Sequence, residues 1–334
     1  MPVRNREDFV TGAIRSVLAQ SFGDFELLII DDGSTDHSAE VVAGIDDPRI
    51  RLVRQESNQG IPKTRNRGLD LARGEYLALL DSDDWAYPQR LARQVAYLDR
   101  HREVAAVGSW AHRITRDGRP ASPIVRPFRP RDVRARILFV SCFKNPTMMA
   151  RTDVMRAFRY REEFTFCQDI DLWARISAKH ALANIPEFLI RYRLGGDSHQ
   201  SDVLSEQLKT RIAGDQLRDL GIDATPDDVR GHHQLRNLVG FDPADAFIDW
   251  CEAWLRRLIE ANVKNARYPE PEFSQAAAGR WFRLGLAAGP SRLLTRFLPV
   301  PTFLRAAPAL VAYGARIGVR HLVAQRPSAG HGLV

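Results

Sequence analysis

Two apolar runs that end in acids constrain this chain more than anything else in it. Leu27-Leu28-Ile29-Ile30 runs into Asp31-Asp32-Gly33-Ser34-Thr35-Asp36, and Tyr76-Leu77-Ala78-Leu79-Leu80 runs into Asp81-Ser82-Asp83-Asp84. Short apolar runs bounded by Gly and Asp read as buried parallel strands, and in open α/β sheets ligands bind beyond the carboxyl ends of such strands. Two carboxylate clusters at one end of a sheet repel each other unless a divalent cation or hydrogen-bond donors receive them. A nucleotide diphosphate with its metal is the simplest ligand that meets both needs.

Around these runs helix and strand patterns alternate. Helical apolar spacing covers 7–20, a helix is expected near 36–44, and Ile50-Arg51-Leu52-Val53 reads as a strand. A helix over 62–72 carries Pro62 in its first turn, where the missing donor costs nothing. Another, opened by Pro88, runs to about Arg100 and leads into a strand at 104–107. The series is βαβ and predicts a mostly parallel sheet flanked by helices. From 110 to 136 Pro120, Pro123, Pro127 and Pro130 suggest a loop or irregular hairpin. A strand at 148–150, a helix over 169–180, strand-rich sequence over 181–193 and helices beyond 202, broken at 221–228 and 268–271, complete the reading. The expected organisation is a domain over 1–200, with halves meeting near 110, and a mostly helical region over 201–334.

Composition narrows the function classes. The net charge is +7, but only five residues are Lys and the Arg is spread along the chain without a basic, aromatic-rich patch, so no nucleic-acid partner is expected. Cys142, Cys167 and Cys251 are far apart, which suggests neither disulfides nor zinc, and the adjacent His232-His233 pair suits a solvated or capping role. Arg4, Arg6, Glu7 and Asp8 precede any hydrophobic stretch, so no leader is read and a cytoplasmic location is expected. After Glu272 there is no acidic residue, while Arg recurs from Arg280 to Arg326. That basic, apolar segment, 280–326, suits either peripheral contact with an anionic membrane or a packed helical subdomain. Phe303 to Val323 is too interrupted by Arg and Pro to span a bilayer.

Four stretches carry chemistry. Asp81-Ser82-Asp83 follows a buried strand, and hard cations bind through one or two carboxylates plus phosphate oxygens. Helix capping accounts for Asp84 but not for three acids in four positions. Asp31 and Asp32 stand where a carboxylate can accept from a nucleobase or a ribose. On the helix between them, Lys63 or Arg65 can face a diphosphate, or the stretch can be a solvated face. Asp169 and Asp171 open a later helix, where one acid compensates the helix dipole and the other is a candidate general base.

Taken in order, these segments resemble the family 2 inverting glycosyltransferases. The resemblance runs through Met1-Pro2-Val3-x-Asn5-Arg6, Phe25 to Asp36, Asn58-Gln59-Gly60, Thr64-Arg65-Asn66, Ala72 to Tyr76, Leu80 to Asp84, Asp169 to Trp173 and Tyr192-Arg193, and covers about residues 1–200. It implies an A-type (GT-A-like) α/β fold with a C-terminal helical extension, and a divalent metal, Mg²⁺ or Mn²⁺, held by Asp83. The nucleotide-sugar site it implies comprises Pro2, Val3, Asn5, Asp31, Asp32, Lys63, Arg65, Asp81 and Ser82. Within it Asp31 and Asp32 hold the base and ribose, Arg65 lies near the diphosphate, and Asp81 meets the ribose. Asp169 is the implied base that deprotonates an acceptor hydroxyl. The implied partners are a nucleotide-sugar, expected to be a UDP-sugar, and a saccharide or lipid-linked saccharide acceptor in surface polysaccharide synthesis.

Three features depart from the family pattern. Met1 stands at the last residue of the expected first strand, so that strand is expected to be truncated with an exposed edge beside it. Arg4 replaces an aromatic, and Gln168 replaces the acid next to the base. Two other classes compete: a nucleotide-sugar-binding protein that has lost catalysis, and a nucleotidyltransferase, which would want a Gly-rich phosphate loop near the N-terminus.

Overall fold

A computed structural model describes residues 1–195, 202–238 and 242–289. The apolar runs become strands in the expected order: β1 (Pro2–Val3), α1 (Val10–Leu18), β2 (Leu27–Asp31), α2 (Ser38–Ala43), β3 (Ile50–Arg54), α3 (Ile61–Leu71), β4 (Tyr76–Ala78), β5 (Trp85–Ala86) and α4 (Arg90–Arg100). There follow β6 (Val104–Ile114), α5 (Pro130–Arg136), a 3-10 turn at Asn145–Thr147, β7 (Met149–Arg151), α6 (Thr152–Phe158), α7 (Gln168–Lys179) and β8 (Ala181–Arg193). The rest is helical: α8 (Asp202–Asp219), α9 (Pro226–Arg236), α10 (Asp245–Asn265) and α11 (Glu272–Ala288).

The strands form two sheets. β1, β2 and β3 are parallel, with Pro2 opposite Ile30 and Val3 opposite Asp31. The second sheet has the order β4-β7-β6-β8-β5, and here the mostly parallel expectation holds only for β6 and β8. β7 runs antiparallel to both β4 and β6, and β5 antiparallel to β8. Strand direction is not encoded in apolar patterning, so this reversal lies beyond the reach of the sequence pattern. β6 also reaches Ile114, and α5 forms at Pro130, so part of the expected 110–136 loop is regular structure.

β1 is two residues long and pairs with β2, and beside them lies a cavity of about 750 Å³ lined by Leu28, Ile30, Leu69, Leu77 and Leu80 together with Arg65, Asp81 and Arg90. The Met1 ammonium donates to Leu28 O at 2.8 Å, and burial pulls its pKa down to about 5 against the opposing charge of Asp81.

Side chains from α4 fix the end of β4. Arg90 is buried, and its Nη2 donates to Leu79 O at 2.6 Å and Met148 O at 3.3 Å while Nε donates to Gln94 Oε1 at 2.9 Å. Gln94 Nε2 then donates to Val107 O and Thr147 O. Arg90 thus bridges β4 and β7 where they part, one residue pair before the acids begin.

Residues Met1–Gln216 form one compact unit and the described residues from Leu217 a second. In the second unit Thr225 and Asp228 make a capping box for α9, and Trp254, Trp281, Leu255 and Phe273 are buried. His232 is not solvated as expected: it is fully buried and its Nδ1 accepts from Trp254 Nε1 at 3.1 Å. Helical position sets this, since His232 shares the buried stripe of α9 with Leu235. Among the described residues no helix is long and apolar enough to cross a membrane. Of the 280–326 segment, 290–326 lies outside the described residues, as does Phe303 to Val323.

Replacing Arg90 by Leu should leave Leu79 O and Gln94 Oε1 unpaired inside the protein and lower the unfolding free energy by about 2–4 kcal/mol. Urea unfolding measures it, and a loss below about 0.5 kcal/mol would show that Arg90 does not hold the sheet end.

Candidate active site

The first acidic pair closes the end of β2. Asp31 is 1% exposed; its Oδ1 accepts from the Ser34 N–H at 3.3 Å and from the Ser34 hydroxyl, while Oδ2 makes no hydrogen bond and lies 3.5 Å from Arg54 Nε. Asp32 is engaged on both oxygens: Oδ1 accepts from Gln59 N and Gln55 Nε2, each at 2.7 Å, and Oδ2 from Gly60 N at 3.1 Å. It therefore folds the 55–60 loop against the strand end. Gly33 lies in this contact at φ 66°, and a Cβ there would meet the Ser57 carbonyl carbon at 2.6 Å, so no other residue fits. Val3 O accepts from Asp32 N, and Asn5 Oδ1 from Thr35 N at 2.9 Å. Pro2, Val3, Asn5, Asp31 and Asp32 are thus gathered at one sheet end. Arg4 is exposed beside them.

The second cluster caps β4. Asp81 stays one-third exposed and accepts from Arg65 Nη2 at 3.0 Å. The Arg65 side chain is only 10% exposed; burial opposes its charge, but Asp81, Tyr160 and Asp169 outweigh that and raise its pKa. Lys63, two residues earlier on α3, points away: it is exposed, 4.0 Å from Glu162 Oε2. Ser82 is buried. Asp83 has Arg6 Nε at 3.9 Å, and burial, then the charge of Asp81, raises its pKa against Arg6 and Arg193. Asp84 is buried, with Oδ1 accepting from Arg193 N at 2.8 Å and Oδ2 unbonded, and burial with Asp81 and Asp83 nearby lifts its pKa well above the carboxylate range.

The third pair, at the start of α7, is resolved into two roles. Asp171 is buried between Arg175 (2.8 Å) and Arg161 (3.5 Å), and burial still raises its pKa. Asp169 is part-exposed, and no described residue forms a hydrogen bond or ion pair with it. Its charge reaches Arg65 and Tyr160, which places it on the Asp81 side of the site. A carboxylate left without a described partner is available to accept a proton from a hydroxyl.

Three residues without an assigned role in the sequence complete the site. Arg6 balances Asp83. Arg193 donates from Nε to Asp83 O at 3.0 Å, lies over the Phe9 ring, and gives its own N–H to Asp84. Tyr160, buried, has the Arg65 guanidinium 5.5 Å from its ring centre. Arg6 and Arg193 left a signal, as members of the Met1 to Arg6 and Tyr192-Arg193 segments, and Tyr160 left none.

Among the described residues no three His, Cys, Asp or Glu side chains form a ready-made metal cage. A Mg²⁺-type site does not need one, because it takes one or two carboxylates and completes its shell with phosphate and water. Asp83, whose proton affinity the neighbouring Asp81 charge raises, Asp81 itself and the orphaned Oδ2 of Asp84 supply hard oxygens, so the donor set fits such an ion.

The chain has relatives among known proteins. The family model described as "Glycosyl transferase family 2" matches residues 1–159. An uncharacterized glycosyltransferase of Methanocaldococcus jannaschii is 30% identical over 212 residues, 60% of this chain and 72% of that one. The putative glycosyltransferase EpsE of Bacillus subtilis is 30% identical over 205 residues, 59% of this chain and 73% of that one. The succinoglycan biosynthesis protein ExoO of Rhizobium meliloti is 27% identical over 309 residues, 88% and 86% respectively. Among solved structures, S. aureus TarS 1–349 in complex with UDP-GlcNAc superposes with a TM-score of 0.58 at 19% identity, covering 86% of each chain, a likeness of fold.

The raised pKa of Asp83 has a stability consequence. In the unfolded chain this carboxyl ionises near pH 4, in the folded chain later, so the folded state binds the extra proton and loses stability as pH rises through the folded pKa. Asp83→Asn removes that loss. Its melting temperature relative to the parent should rise from pH 4 to pH 8 in metal-free buffer, and a difference independent of pH would show that Asp83 is not under this charge pressure.

Proposed function

The chain belongs to glycosyl transferase family 2 and has its A-type α/β fold, and we propose that it moves a sugar from a nucleotide-diphosphate sugar to an acceptor hydroxyl with inversion. One observation carries the reading: Arg65 is hydrogen-bonded to Asp81 at the end of β4 and also feels the charge of Asp169, the one acid of its pair left unengaged. In this reading Asp169 takes the proton of the acceptor hydroxyl, whose oxygen attacks the anomeric carbon as the bond to the nucleotide diphosphate breaks. A single displacement inverts that carbon. Arg65 binds the diphosphate as a fixed cation, and Asp31 with Asp32 and the Pro2–Asn5 segment form the base and ribose end. Mg²⁺ or Mn²⁺ held by Asp83 with Asp81 would supply charge neutralisation for the departing diphosphate.

The donor proposed is a UDP-sugar, supported by the UDP-GlcNAc complex of the TarS neighbour. The acceptor proposed is a saccharide or lipid-linked saccharide of a surface polysaccharide, in keeping with the name of ExoO. Residues 1–200 carry catalysis in this proposal, the donor half in 1–110 and the acceptor half in 111–200, at the cytoplasmic face of the membrane. Lys63 is assigned no more than an outer role, since its exposure and its Glu162 partner favour a solvated face.

Calorimetric titration of the chain with nucleoside diphosphates, with and without Mn²⁺ or Mg²⁺, followed by turnover of a nucleotide-sugar panel, tests the reading. Selective metal-dependent binding and release of one nucleotide are expected. Asp83→Ala should lose the metal-dependent part of binding, and full binding would sink the metal assignment. Asp169→Asn should bind the nucleotide as the parent does and lose turnover by about 100-fold or more, and an unimpaired rate would place the base elsewhere.

A further inference from the structure

Three consecutive residues of α3 point in three directions, as residues about 100° apart on a helix must. Thr64 Oγ1 accepts from Gln55, which grips Asp32; Arg65 reaches Asp81; and Asn66 reaches the main chain of Tyr160. The last contact is two-way and buried: Asn66 Nδ2 donates to Tyr160 O at 2.8 Å and Oδ1 accepts from Tyr160 N at 2.9 Å. A carboxamide matches the donor and acceptor of one residue as another strand would.

The same segment is held from the other side by the helix that carries Asp169. Arg175 of α7 donates from Nη1 to Phe158 O and from Nη2 to Arg159 O, each at 2.7 Å, and from Nε to Asp171 at 2.8 Å. Asp171 is two residues from Asp169. An unbroken series of hydrogen bonds therefore runs from Asp81 through α3, Asn66, the 158–160 main chain and Arg175 to the start of α7. A second tie, Arg159 to Asp70 at 2.6 and 3.1 Å, is exposed, and exposed pairs contribute little.

We infer that Asn66 is a positioning residue that sets the span between the donor carboxylates and Asp169. The inference rests on reading Asp169 as the base. Asn66 touches no reacting atom; it acts through Tyr160 and Arg175.

The test uses the full chain, Mn²⁺ with the nucleoside diphosphate for binding, and the nucleotide-sugar selected by the panel above for turnover. Asn66→Ala loses both bonds and Asn66→Asp only the donated one. Nucleotide affinity and a stoichiometry near one should stay within about twofold, whereas kcat falls about 100-fold for Asn66→Ala and less for Asn66→Asp, at nearly constant KM, because a displacement of about 1 Å suffices for such a loss. Arg175→Gln should lower kcat in the same way, and its combination with Asn66→Ala should be no worse than the poorer single variant. Amide exchange should quicken over 158–171 and stay unchanged over 76–81.

Parental turnover in Asn66→Ala overturns the inference, and so does a parallel loss of nucleotide binding and turnover. If Asn66→Ala yields no folded protein, the same split in Asn66→Asp decides. Asp169→Asn run alongside separates the two readings: if it retains turnover, the base assignment fails and the positioning role with it. If it is inactive while Asn66→Ala is active, the positioning role alone fails.

Discussion

A buried cation makes the end of β4 possible. Arg90 sits among acids and carbonyls with almost no exposure; burial lowers its pKa, and the charges of Asp84 and Asp81 oppose that. The guanidinium would be costly inside the sheet without those opposing charges and the carbonyls it serves. Its bonds to Leu79 O and Met148 O also settle where β4 and β7 part, and hence where Asp81 emerges.

Each acidic cluster divides its labour. Asp32 folds the 55–60 loop, Asp84 latches the Arg193 main chain, and Asp171 is locked by Arg175 and Arg161. Beside each stands an acid that makes fewer hydrogen bonds: Asp31, equally buried, with Oδ1 bonded within its own turn and Oδ2 3.5 Å from Arg54; Asp81 and Asp83, partly exposed; and Asp169, with no described partner. In each cluster one acid fixes a neighbouring segment and another is held more loosely.

Much of this was legible in the sequence because strand runs and acidic ends are local features. The strand positions, the helix starts at Pro62 and near Asp169, and the helical region after 202 all follow from spacing within a dozen residues. What escaped was set by distant partners. That Asp171 rather than Asp169 is engaged depends on Arg161 and Arg175, and the different facing of Lys63 and Arg65 depends on Glu162 and Asp81. The antiparallel β7 depends on the strands it meets, β4 and β6, and the hydrogen bond of His232 on a Trp in another helix. Periodicity carries no information on any of these.

The two sheets of the first unit share no strand ladder. Side chains are among the ties between them, including Arg65 on Asp81 and Asn66 on Tyr160. A ladder can be altered only in whole residue steps that turn every side chain over, but a side-chain joint can be lengthened or loosened one substitution at a time. The spacing between the two acidic strand ends is thus a quantity that evolution can adjust almost continuously, without rebuilding either sheet.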